Sequence, residues 1–288
     1  MMVRRAQPWL GTVVELAVEG EAVSQLHTAI DTSFARIAAI HRALSFQSPD
    51  SELTRLNRCA QRDWVAPSSD LVRVLAAALE FAHASAGGFD PTVAAHLLVS
   101  GHLPRHAGFP DAPVVDWQAI EFDGERVRFH APVIIDLSGI AKGYAVDQAL
   151  VCLRACGAVA ASVNAGGDLA RFGIRAAPVH LRLPKQPTAM LSVAVLVNGA
   201  IATSAGYFQP GHLRDPRDDT VLCETSSVSV LAADCLTADA LTKAVAADMA
   251  RAPALLARYC AQAVLLDPRG AWMGSPDGWK PLSLELAA

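Results

Sequence analysis

The chain predicts an α+β fold, with long helices standing between blocks of antiparallel hairpins. Apolar residues recur at helical spacing over one long early segment, and short strand-like runs separated by glycine or proline fill the middle. Asp123-Gly124 then sits between two such runs, where a tight hairpin turn needs residues that tolerate positive φ. Long helices among antiparallel hairpins do not form the regular strand–helix–strand array of a parallel sheet.

The elements follow in order. Residues 10–18 alternate as a strand does, and residues 21–44 set Leu26, Ile30, Phe34, Ile37, Ile40 and Leu44 along one helix face. A polar loop occupies 45–57. A second helix over 71–86 stops at Gly87-Gly88, where a left-handed exit is expected, and a short third helix starts after Pro91. Glycine, proline and histidine accumulate over 101–113, marking an irregular loop. Strands at 120–122 and 126–129 make the hairpin, and 133–137 continues as a strand. A helix over 140–156 precedes strands at 159–163, 170–174, 180–183, 191–197 and 201–203. A strand at 228–231, helices at 237–249 and 253–260 and a last strand at 264–266 complete the chain. No internal repeat or low-complexity linker interrupts it.

At 288 residues the chain is long for one core and short for three, so one domain over 1–288, or two closely merged subdomains, is expected. Apolar residues make up 52% and charged residues 18%, which excludes a disordered chain. A net charge of -4 without a Lys/Arg cluster argues against nucleic acid as a partner. The amino terminus lacks the apolar run of a signal peptide, and residues 191–205 are interrupted by Asn198, Gly199 and Thr203, short of a membrane span. The expected location is the cytoplasm, or the periplasm if a leader has been removed. The six cysteines form no C-x-x-C pair and read as reduced thiols.

One segment concentrates chemistry. Ile134 to Asp147, Ile-Ile-Asp-Leu-Ser-Gly-Ile-Ala-Lys-Gly-Tyr-Ala-Val-Asp, reads as a strand end, a turn at Gly139 and a helix. Such a helix presents free N–H groups and its positive dipole end to an anion, and Lys142 adds a full charge. The layout suits a phosphate; an ordinary junction with a solvated lysine looks the same. Its companions are Ser45-Phe46 with Ser51 through Asn57, Gly88-Phe89-Asp90-Pro91-Thr92, Asn164-Ala165-Gly166-Gly167-Asp168-Leu169, Ile201-Ala202-Thr203-Ser204 and Ala238-Asp239-Ala240-Leu241. Each alone reads as a turn, a cap or a loop.

In this order and at these separations the blocks closely resemble the ApbE family of flavin transferases, over residues 10 to about 247. The resemblance implies a T-fold-like architecture of mixed and antiparallel sheets with packed helices. It also implies a reaction: with Mg²⁺, the FAD pyrophosphate is cleaved, FMN is attached to a threonine of an acceptor flavoprotein, and AMP is released. Monomer and homodimer both remain open.

Carried over by position, Lys142 and Gly143 face the pyrophosphate. Gly166 and Gly167 let backbone amides approach the ligand, and Asn164 and Asp168 offer polar contacts to ribose or flavin edges. Asp90, Thr92, Asp136, Gly139, Thr203 and Ser204 complete the expected FAD-binding set. Phe46 stands where the family usually carries tyrosine and either stacks on FAD or belongs to the core. Asp239 matches the metal-binding aspartate and the Ala141 carbonyl the backbone ligand, a small set of hard oxygens that suits Mg²⁺. His212, in His-Leu-Arg-Asp-Pro, matches a histidine that matters for transfer and is either a general base or a surface residue. The catalytic candidates are therefore His212, Asp239 and Lys142.

The family's usual run sets a threonine hydroxyl one helical turn after the aspartate, and Lys243 stands there instead. Thr242 is rotated about 100° around the helix, and an ammonium donates but cannot ligate a metal. Lys243 either pairs with Asp239 and weakens the site, supplies part of the metal's charge, or points away. Leu10, Ser138 and Ala205 replace a methionine and two glycines of the pattern. Three functions follow: FMN transferase, FAD-binding protein with weakened or lost transfer, and FAD pyrophosphatase.

Overall fold

A computed structural model describes residues 1–184, 186–207 and 209–282. Strands β1 (Met2–Trp9) and β2 (Thr12–Glu19) open the chain as an antiparallel hairpin with Trp9 opposite Thr12. Leu10 and Gly11 form its turn with φ of 56° and 72°, the left-handed pair that matches strand twist in a two-residue loop. The strand expected over 10–18 thus starts two residues later. Its partner escaped notice because β1 has no fully buried residue, and so no apolar face to betray it.

Helix α1 (Val23–Leu44) buries the six apolar residues that its periodicity predicts. The polar loop expected over 45–57 instead contains helix α2 (Glu52–Cys59). Ser51 caps it, its Oγ accepting the Thr54 N–H at 3.0 Å, and the helix is too short for its buried Leu53 and Leu56 to establish a period. Helix α3 (Ser69–Ala84) ends before left-handed Ala86 and Gly87, and a 3₁₀ turn at Pro91–Val93 leads into α4 (Ala94–Val99). Strands β3 (Ile120–Phe122) and β4 (Val127–Phe129) form the expected hairpin.

Residues 134–137 form no strand, and Val133 makes only an isolated parallel bridge to Val114, contrary to the expected strand over 133–137. The Asn57 side chain takes the place of a neighbouring strand: its amide donates to the Ile135 carbonyl and its oxygen accepts the Ile135 N–H, each at 2.8 Å. Helix α5 (Ser138–Ala155) follows. Gly139 is the second residue of that helix, so it is not the turn the sequence suggested.

Strands β5 (Ala160–Ala165), β6 (Asp168–Phe172), β7 (Ala177–Leu183), β8 (Gln186–Leu196), β9 (Gly199–Ala205) and β10 (Ser227–Ala232) come next. Helices α6 (Cys235–Ala247) and α7 (Ala252–Arg258) lead to β11 (Gln262–Asp267), β12 (Gly270–Ser275) and β13 (Gly278–Pro281). The last two strands were not expected, because glycine, serine and proline break up 270–281. β6 ends at Phe172, short of the expected 174, and leaves Ile174 exposed.

Among the described residues, nine strands form one antiparallel sheet in the order β1-β2-β5-β6-β9-β10-β11-β12-β13. Helices α1, α5 and α6 lie side by side, α1 on β1–β2, α5 on β5–β6 and α6 on β9–β10. The separate β7–β8 hairpin brings Val179, Leu181 and Leu191 against Ile201, Val264 and Leu266 of the main sheet. α5 joins two cores: Ile140, Ala141 and Tyr144 pack with Ile134, Ile135, Leu137 and the residues of α2 and α3, whereas Val146, Ala149 and Leu153 pack with α1, β2 and β5. Burying Ile134, Ile135 and Leu137 completely contributes roughly 2 kcal/mol each and anchors the entrance to α5. No helix among the described residues is long and apolar enough to cross a membrane.

Candidate functional site

The site begins with a close approach of α5 and α6. A Cβ on Gly143 would stand 2.2 Å from the Cys235 carbonyl oxygen and 2.9 Å from the Asp239 Cβ, so only glycine lets these helices meet at this distance. The Gly143 N–H donates to Asp239 Oδ2 at 3.1 Å. Four residues along α5, Asp147 accepts the Cys235 and Leu236 N–H groups at 2.8 Å each and so caps α6. Burial pushes Asp147 up to about 7, even though those two donors favour its charged form.

Two ammonium–carboxylate pairs occupy the junction. Lys142 Nζ donates to Asp168 Oδ2, and Lys243 Nζ to Asp239 Oδ1. Both carboxylates are fully buried. Asp168 leaves the β5–β6 turn at Gly166 and Gly167, whose φ angles of 62° and 104° favour glycine. The Gly167 N–H donates to Asn164 Oδ1 at 3.1 Å, and the Thr203 N–H reaches Asp168 Oδ1 at 3.4 Å. Lys243 also donates to the Asp239 carbonyl at 3.0 Å. Its aliphatic stem runs past Gly139, where a Cβ would lie 3.5 Å from the Lys243 Cε.

Burial pulls Lys142 down, but Asp168 and Asp239 outweigh it, and the amine's pKa rises above the ordinary lysine value. Burial and the Asp239 charge push Asp168 up to about 6 against the pull of both lysines. Burial also raises Asp136, opposed by the Ser138 hydroxyl and N–H at 2.5 and 3.0 Å, by His212 when its ring is protonated, and by the charge of Lys243. His212 is lowered by burial and held up in part by Asp136, and its ring meets His102 edge-on at 5.8 Å.

The structure thus gathers Asp136, Gly139, Lys142, Gly143, Asp168, Asp239 and Lys243 around the start of α5 and its junction with α6, with His212 and Thr203 alongside and the Asn164–Gly167 turn at the edge. Other expected residues are engaged elsewhere. Phe46 is buried against Phe109 and His106, with ring centroids 5.7 and 5.9 Å away, which is the core placement. Asp90 Oδ1 accepts both the N–H and the hydroxyl of Thr92 at 2.7 Å, and Thr92 Oγ1 accepts the Asp116 N–H at 2.9 Å. Burial pushes Asp90 up to about 6. These two residues shape the loop whose Pro91 carbonyl accepts the Asp136 N–H at 2.8 Å. Ser204 shares a hydrogen bond of 2.7 Å with Thr242, and Thr203 one of 2.8 Å with Ser229. Two surface depressions of about 220 and 360 Å³ flank Arg217, but neither is lined by a member of the lysine pairs.

Asn57 and Asp147 stood inside quoted motif blocks without an assigned role. Their partners lie 78 and 88 residues away, so neither contact has a local signal.

The resemblance also implies a divalent metal on Asp239 and the Ala141 carbonyl, and the arrangement does not suit one. Asp239 Oδ1 already accepts an ammonium and Oδ2 an N–H, so a cation would have to displace Lys243 and then sit beside its charge. Among the described residues no three His, Cys, Asp or Glu side chains are grouped to hold a metal.

Known proteins share this chain's pattern. The ApbE family model matches residues 10–265. The chain is similar to the FAD:protein FMN transferase of Rhodobacter capsulatus, 30% identical over 82% of this chain and 49% of that protein. The corresponding figures are 26%, 59% and 52% for the Treponema pallidum protein of the same name. For that of Chlamydia trachomatis they are 27%, 80% and 78%. The chain spans about half the length of the first two relatives. The fold matches the crystal structure of the ApbE protein of Thermotoga maritima with a TM-score of 0.81 at 24% identity, covering 98% of this chain and 97% of that one. The flavin transferase ApbE of Vibrio cholerae gives 0.77 at 23%, covering 100% and 97%. With a family match over nearly its whole length and the same architecture, the chain belongs to the ApbE family.

Proposed function

We propose that the protein is a FAD:protein FMN transferase, which moves the FMN half of FAD to a threonine hydroxyl of an acceptor flavoprotein and releases AMP. The observation that carries this reading is the pair of ammonium groups, Lys142 and Lys243, held by buried carboxylates in one cluster at the start of α5. Cleaving a pyrophosphate spreads negative charge over the transferring oxygens, and cations fixed in advance stabilise it without reorganisation. An ammonium has three donors. Lys142 directs one at Asp168 and Lys243 two at Asp239, which leaves donors for phosphate oxygens. Family membership and the names of the curated relatives support the same reading.

In the transfer, the threonine oxygen bonds to the FMN phosphorus while the bond from that phosphorus to the bridging oxygen breaks, and AMP departs with the bridging oxygen. His212 accepts the threonine proton at its unprotonated ring nitrogen. Burial lowers its pKa and keeps that nitrogen free near neutral pH. While Lys243 holds Asp239, the described residues offer no site for the expected Mg²⁺.

Incubation with FAD and an acceptor domain bearing the target threonine is expected to yield a flavin-fluorescent acceptor band and free AMP. An unlabelled acceptor, in an assay where another family member labels it, refutes transfer. The Lys243–Asp239 pair favours a second reading, FAD binding with weakened transfer. It predicts intact FAD in the purified protein and an unlabelled acceptor. Release of FMN and AMP without acceptor identifies a pyrophosphatase instead.

A further inference from the structure

We propose that Lys243 is a built-in cation that takes the place of a divalent metal, so that this protein binds the FAD pyrophosphate without one. The inference rests on the FAD reading above and concerns how the charge is neutralised.

Lys243 is seated, not merely nearby. Its Nζ donates to both Oδ1 and the main-chain carbonyl of Asp239, and its stem lies along Gly139, which has no Cβ to obstruct it. Asp239 precedes it by four residues on the same helix, the favourable order for such a pair. The lysine side chain is 19% exposed and the aspartate 1%, so the pair is largely withdrawn from water while part of the lysine side chain stays open. Its charge also opposes, in part, the upward shift that burial imposes on Asp136 and Asp168.

Two of the other oxygen groups that a metal could use are already engaged. Asp239 Oδ2 accepts the Gly143 N–H. The Thr242 hydroxyl is fully buried, donates to the Asp239 carbonyl at 2.7 Å and shares a hydrogen bond with Ser204. A hard divalent cation would have to break the Lys243 pair and then compete with an ammonium anchored on the same helix. Lys142 supplies a second ammonium across the junction, so the cluster holds two positive charges to set against a pyrophosphate.

The test measures FAD binding by titration calorimetry at constant ionic strength, in EDTA and in Mg²⁺, alongside Mn²⁺ binding to the ligand-free protein by electron paramagnetic resonance. Wild type is expected to bind FAD equally in both buffers and to take up no Mn²⁺. Lys243→Met, which keeps the stem against Gly139, is expected to weaken FAD binding in EDTA by about ten- to a hundredfold. Lys243→Thr is expected to show the same loss, recovered by Mg²⁺, together with a gain of Mn²⁺ binding. FAD binding by wild type that requires Mg²⁺, stoichiometric Mn²⁺ on wild type, or unchanged affinity in folded Lys243→Met overturns the inference alone. Absence of FAD binding in every buffer overturns the functional reading and the inference together.

Discussion

The block from Gly88 to Thr92 and the block from Ser138 to Gly143 carry the same family resemblance, yet the fold uses them in opposite ways. In the first, every side-chain polar group named above is satisfied inside the protein: Asp90 by Thr92, and Thr92 in turn by Asp90 and Asp116. In the second, Lys142 is paired but retains donors, and 27% of its side chain is open. Motif residues thus divide into those that are satisfied within the protein's own loops and those that keep donors for a ligand. Saturated hydrogen bonding and burial mark the first group, and a charge with spare donors at the surface of a cluster marks the second.

Substitutions on either side sharpen this contrast. Lys142→Met has the largest expected effect. It leaves Asp168 buried without its ion pair, at a cost of about 3–5 kcal/mol in stability, and removes one of the two ammoniums, so FAD binding should also fall steeply. Urea unfolding together with FAD titration checks both; unchanged affinity in a folded variant would assign Lys142 to the first group. Asn57→Ala comes next, as it strips the Ile135 N–H and carbonyl of their partner at a cost of about 2–4 kcal/mol. Its FAD affinity, measured where the variant is folded, is expected to stay within about twofold of wild type.

A third effect concerns pH and is read as a slope. Asp147 is raised by burial from an ordinary value of 3.8 to about 7, so across that window the folded state binds more protons than the unfolded state. Its contribution to stability is therefore greatest below the window and declines as pH rises through it, by at most about 1.4 kcal/mol per pH unit. Asp147→Asn cannot titrate, and unfolding curves collected from about pH 4 to 7 should lose that slope. A slope unchanged by the substitution would move the titration to another buried acid.

Much of this was legible from residues in a row. The period of α1, the Asp123-Gly124 hairpin, the Gly87 exit and the Gly166-Gly167 turn are local, and the structure has them where expected. Helix α2 was hidden by its polar composition, and β1 by its lack of a buried face. The run at 133–137 reads as a strand because it is mostly apolar, but the Asn57 side chain pairs with Ile135 and the Pro91 carbonyl accepts the Asp136 N–H, which no periodicity reveals. Within the site, the Asp239–Lys243 pair was readable as one of several options from i,i+4 spacing. The Lys142–Asp168 pair was not, because it joins a helix to a strand turn 26 residues later.

Neighbouring residues carry the class of fold, the order of the chemical blocks and the family they resemble, because turns, caps and helical faces are local. Long-range packing sets which carboxylate holds which ammonium, engages Asp90 and Thr92 in their own loop, and fills Asp239 with Lys243 and the Gly143 N–H. Those outcomes depend on burial and on groups brought together from distant segments, and burial sets both the cost of leaving a charge unpaired and the partner that relieves it.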